Sequence, residues 1–141
     1  MQAVFAAEAF LQTVYVDDMT RDQLEIRAIR KILDSADRRN LPAVPDSFNQ
    51  IKDVEEIHLY DSDIRVVPEC INRLTGLRQL NLGSCKLNRD DSIPDTLWQL
   101  TGLETLRLYS NNLTSIPSQI GQLSSLTILD LESNNLVSLP D

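Results

Sequence analysis

Four blocks of the chain repeat one pattern of apolar and polar positions. Val54, Ile57 and Leu59 are followed by Ser62 and Ile64, and Leu77, Leu80 and Leu82 by Cys85 and Leu87. Leu103, Leu106 and Leu108 are followed by Asn111 and Leu113, and Leu126, Leu129 and Leu131 by Asn134 and Leu136. The blocks start 23, 26 and 23 residues apart. In the middle of each block the period is two, which sends alternate side chains to opposite faces of a strand. The pattern predicts four short strands with leucines turned inward and the intervening residues facing solvent. One such unit cannot bury its own apolar face, so each is expected to stack on the next.

The second half of each block repeats as well. Val67-Pro68, Ile93-Pro94, Ile116-Pro117 and Leu139-Pro140 occupy one position. Three of them are followed by Ile71 and Leu74, Leu97 and Leu100, or Ile120 and Leu123. Leu41, Val44-Pro45, Phe48 and Ile51 match this half too, so a half-unit precedes the first full one. The column Ser62, Cys85, Asn111, Asn134 calls for a short side chain pointing into the bend after the strand. Asn there can satisfy backbone groups that the bend leaves unpaired.

These residues resemble the leucine-rich repeat family, in the form L-x-x-L-x-L-x-x-N-x-L followed by I-P-x-x-I-x-x-L. The resemblance covers residues 41–141. It implies an α/β solenoid with a parallel sheet on the concave side and irregular or 3₁₀ segments on the convex side. It also implies recognition of a protein or peptide through the concave face.

Upstream, the pattern changes to a helical one. Thr20 and Gln23 are spaced as a capping box. Behind them Leu24, Ala28, Ile29, Ile32, Leu33 and Ala36 form an apolar arc, with Arg27, Arg30, Lys31 and Asp34 opposite. The pattern predicts a helix over 21–36 that covers the open end of the stack. Residues 1–40 are therefore read as an N-terminal helical cap, similar to the caps of some bacterial members, and 41–141 as the repeats. Residues 2–16 are apolar nearly all round a helical wheel, which fits a further cap helix. The alternative is the tail of a secretion signal at 1–9, where small residues flank Phe5 and Glu8. The compartment stays open between cytoplasmic and secreted.

Register turns the strand pattern into columns on the exposed face. Glu55, Arg78, Glu104 and Thr127 form the first, and Glu56, Gln79, Thr105 and Ile128 the second. His58, Asn81, Arg107 and Asp130 form the third, and Tyr60, Gly83, Tyr109 and Glu132 the fourth. Asp61, Ser84, Ser110 and Ser133 form the last. Neighbouring strands lie about 4.8 Å apart. Alternating charge ladders are thus expected along Glu55–Arg78–Glu104 and at Arg107–Asp130. Tyr60 and Tyr109, with Gly83 between them, suggest a slot walled by two rings and floored by backbone. Tyr and Arg are the types most enriched at interface hot spots. The candidate binding site is Glu56, His58, Tyr60, Gln79, Asn81, Arg107, Tyr109, Asp130 and Glu132. Trp98 is expected to face out on the convex side, because its sister positions are Asn72 and Gly121. The second unit is three residues longer, and the excess at 88–92 reads as a solvated bulge.

Composition removes several functions. Leucine supplies 22 of 141 residues while aromatics make up 5%, which fits a small repeated core better than one large irregular one. The net charge is −8, and residues 41–141 hold 7 basic against 14 acidic residues. A nucleic-acid binder needs a basic stripe to displace phosphate counterions, so nucleic acid is excluded as a partner. No apolar run reaches the roughly 18 residues that span a bilayer, so membrane insertion is not expected. Cys70 and Cys85 form no CxxC pair and read as structural thiols. Asp90 and Asp91 lack the spaced ligands of a calcium loop, so neither a metal nor a cofactor is expected. With one histidine and no nucleotide, hydrolase or metalloprotease motif, an enzyme is not expected. The alternative to a recognition module is a structural or capping piece of a larger protein. The apolar row at Leu136 and Leu139 lacks a polar cap, so self-association through that end is also expected.

Overall fold

The computed structural model describes residues 21–35 and 54–141. The expected capping box at Thr20, the helix or signal tail at 1–16, the half-unit at 41–51 and the 40/41 boundary lie outside them. Within them, one helix is followed by four units of strand and bend, the first three of which continue into a 3₁₀ turn.

The strands are β1 (Glu56–His58), β2 (Gln79–Asn81), β3 (Thr105–Arg107) and β4 (Ile128–Asp130). They pair in parallel in the order β1-β2-β3-β4. The register places Glu56 beside Gln79, Gln79 beside Thr105, and Thr105 beside Ile128. Each column read from the sequence is therefore a column of the sheet. The inward residues of the first three strands are sealed, with Ile57, Leu80 and Leu106 at most 1% exposed, as are Val54, Leu77 and Leu103, whereas Leu129 of β4 is exposed. Each fully buried side chain of this size contributes about 1.5–3 kcal/mol.

Each strand is ended by a residue in the left-handed region. Asp61, Ser84, Ser110 and Ser133 have φ between 53° and 61°. An L-residue there costs roughly 1–2 kcal/mol. The bend is held by the Asn column. Asn111, fully buried, accepts from the backbone N–H of Cys85 (2.9 Å) and Leu87 (3.2 Å). Its amide group donates to the carbonyls of Leu82 (2.8 Å), Leu108 (3.0 Å) and Tyr109 (3.1 Å). Asn134 repeats this one turn on. It accepts from Asn111 and Leu113 and donates to Leu108, Leu131 and Glu132.

Cys85 performs half of that task. Its thiol donates to the Leu59 carbonyl at 3.0 Å, as Asn111 does to Leu82, but a thiol is a weak acceptor. The Ser62 N–H turns instead to the Leu59 carbonyl of its own unit. The first bend differs accordingly: its second left-handed residue is Arg65, where the next two units use Lys86 and Asn112. Burial raises the pKa of the Cys85 thiol.

On the convex side lie 3₁₀ turns at Glu69–Arg73, Asp95–Gln99 and Ser118–Gln122. Pro68, Pro94 and Pro117 precede them with φ of −70° to −73°, the value the ring fixes. Helix α1 (Arg21–Ser35) packs against the first of these turns. Ile29 and Ile32 are buried, while Arg27 and Lys31 are exposed. Cys70 donates to the Glu25 carbonyl (3.8 Å), and Arg73 lies 3.8 Å from the Glu25 carboxylate. Burial foremost, with the Glu25 charge behind it, pushes the Cys70 thiol up to about 12.

One expectation changes here, and one is refined. Trp98 does not face solvent; it is 1% exposed. It lies at a cleft of about 200 Å³ that it shares with Asn88–Asp90 of the longer second unit and Leu113–Pro117 of the third. The 88–92 segment is a solvated bulge with one buried anchor. Ser92 is fully buried, its hydroxyl accepts from the Arg89 N–H (3.1 Å), and its carbonyl accepts from Val67 (2.8 Å). Asn88, Arg89 and Asp90 are exposed, as a solvated bulge requires, while Ser92 anchors the segment.

Candidate concave binding face

The nine candidate residues fall on one face because three-residue strands in register leave every second side chain outward. Glu56 and His58 lie on β1, Gln79 and Asn81 on β2, Arg107 on β3, and Asp130 on β4. Tyr60, Tyr109 and Glu132 follow two residues beyond strands β1, β3 and β4. The structure brings all nine to the same sheet. Arg78, Glu104 and Ile128 lie there too, and their columns in the sequence already carried that signal.

Several polar groups on this face are committed to one another. Glu56 accepts from the Gln79 amide (2.9 Å) and sits 3.5 Å from the His58 Nε2. Arg78 is paired with Glu104. The rest of the expected charge ladder does not form. Glu55 engages its neighbours through its carbonyl, which accepts from the backbone N–H of Arg78 (2.7 Å) and Gln79 (3.0 Å). Asp130 does not pair with Arg107; its carboxylate accepts from the Glu132 N–H (3.1 Å). Asn81 makes the same turn to the Gly83 N–H (3.0 Å). A short Asx side chain two residues before a free N–H bonds locally, and that competes with a cross-strand ion pair. Arg107 is exposed, and no ion pair within 4 Å engages it among the described residues.

The tyrosine slot is not open. Gly83 is buried, and a Cβ added there would run into the Tyr109 ring. The glycine seats the ring of Tyr109, which fills the space expected to be a floor. Tyr60, 43% exposed, stands on the next strand but one. The face therefore presents two tyrosines on a filled surface. His58 and Cys85 form no dyad: Cys85 is fully buried, while His58 lies on the open face. At the rim beside the sheet, Asp63 accepts from Lys86 (2.8 Å) and Arg65 (3.2 Å). Those bonds, Lys86 first, hold its carboxyl below the usual 3.8.

Among the described residues no three metal-ligating side chains cluster, and no helix is long and apolar enough to cross a membrane. A family signature described as "Leucine Rich repeats (2 copies)" matches residues 101–141, and one described as "Leucine Rich Repeat" matches residues 76–100. Curated proteins give no match. Among solved structures, a leucine-rich repeat protein of Leptospira interrogans is similar, with 36% identity and a TM-score of 0.59 over 66% of this chain. The chain spans 23% of the length of that protein. Domains of this kind are generally protein-interaction modules and typically non-enzymatic. The signatures, the solved relative and the register of the four strands agree: the chain is a leucine-rich repeat protein.

Proposed function

We propose that the chain is a non-enzymatic module that recognises a protein or peptide through the concave face of its sheet. The observation that carries this reading is the single outward layer of Tyr60, Tyr109, Arg107, Asp130 and Glu132 on a backbone fixed by the Asn ladder. Rigid placement of aromatic and charged anchors lowers the entropy lost on binding. Four strands at about 4.8 Å spacing make a surface of a few hundred Å², below the roughly 800 Å² per partner of a standard interface. The surface is thus sized for an extended segment of a partner.

A second reading is a structural piece that packs its exposed apolar side chains against another surface and has no binding activity of its own. It draws on Leu129, 40% exposed where Leu80 and Leu106 are sealed, and on Leu139, 63% exposed. Selection of a displayed peptide library on the chain separates the two. Recognition predicts clones whose binding is lost in Tyr60→Ala/Glu132→Ala and kept in Gln119→Ala on the convex side. Clones indifferent to the concave changes, or none at all, would favour the structural reading.

A further inference from the structure

The charge of the concave face says what kind of segment it fits, on the premise that this face is the binding surface. Its five columns comprise 20 residues and carry six carboxylates (Glu55, Glu56, Asp61, Glu104, Asp130, Glu132) against two guanidiniums. With His58 neutral the face holds −4 of the chain's −8 on 20 of its 141 residues. Neighbouring strands lie about 4.8 Å apart, inside the roughly 8 Å Debye length of physiological salt, so these fields add. Arg78 is already paired with Glu104. Arg107 stands in register with Asp130, whose charge offsets it across one strand spacing.

We propose that the concave face docks an extended Lys/Arg-rich segment of a partner protein. The four strands span about 15 Å, the length of four or five extended residues. Cationic side chains of that segment reach Asp130 and Glu132 at one edge and Glu55 and Glu56 at the other. Their ammonium or guanidinium groups can lie over the rings of Tyr60 and Tyr109, where cation–π attraction adds to the field. Arg107 is the one residue on the path that opposes such a partner, which makes it the diagnostic position.

The test is fluorescence anisotropy of two labelled peptides with the full chain, one alternating Lys and Ser, the other Glu and Ser. The Lys peptide is expected to bind, more weakly as salt rises. Asp130→Asn/Glu132→Gln should weaken it by about threefold or more, the scale of exposed ion pairs, and Arg107→Ala should tighten it. The same loss of charge on the far loop, Asp90→Asn/Asp91→Asn, should change it less. Preference for the Glu peptide, weakened by Arg107→Ala, overturns the basic partner and leaves the concave face standing. Equal effects of the two charge-removing pairs, or no binding by either peptide, overturn the docking face as well.

Discussion

Asn111→Ala tests the ladder that holds the bends. The substitution removes five hydrogen bonds at a fully buried site. It strands two backbone N–H groups, those of Cys85 and Leu87, and takes a donor from three carbonyls. Each buried group left unpaired costs about 1–3 kcal/mol, so the two amides and the poorer carbonyl contacts sum to about 3–5 kcal/mol. That is a large share of a domain's stability of about 5–15 kcal/mol. With a urea slope of about 2 kcal/mol/M, the unfolding midpoint should fall by about 2 M. Urea denaturation followed by circular dichroism reads the shift. Asn111→Cys should fall between, since Cys85 shows that a thiol keeps the donor half of the role. A midpoint within about 0.5 M of the parent for Asn111→Ala, roughly 1 kcal/mol, would refute the ladder argument.

Three further outcomes are expected. Gly83→Ala should destabilise by about 1–3 kcal/mol through collision with the Tyr109 ring, and Tyr109→Ala should largely remove that penalty. A double-mutant cycle reads this coupling, and additive losses would contradict the seating of the ring. Asp63 should titrate below 3.8 in a carbon-detected carboxyl NMR titration. Its pairing is present at neutral pH and lost as pH falls through that lowered value, and Lys86→Ala should move the midpoint back up. Cys70 and Cys85 should resist a thiol reagent at neutral pH until the chain unfolds, since burial raises both. The stability contributed by neutral Cys70 is fully present below pH 9 and is lost as pH rises from 9 towards 12. Rapid labelling of the folded chain would contradict the burial.

The strands, columns and Asn ladder were legible because period two and a fixed repeat length leave little choice of register. The sister-position rule failed at Trp98, which is buried beside a cleft that the longer second unit also lines, where its sister positions carry Asn72 and Gly121. The slot failed as well. Gly83 marks an absent side chain, but the sequence does not say which neighbour fills the space, and Tyr109 does. The Arg107–Asp130 pair failed because opposite charge in register ignores the local bond that Asp130 makes with the Glu132 N–H. The shared cause is that columns give proximity, while side-chain direction depends on competition with the backbone.

Recognition through the concave sheet leaves a footprint on particular backbone amides. Amide NMR of the isotope-labelled chain, titrated with a peptide selected on it, tests this most directly. Shifts are expected to concentrate at residues 56–60, 79–83, 105–109 and 128–132. Shifts confined to the 3₁₀ turns at 69–73, 95–99 and 118–122 would contradict it.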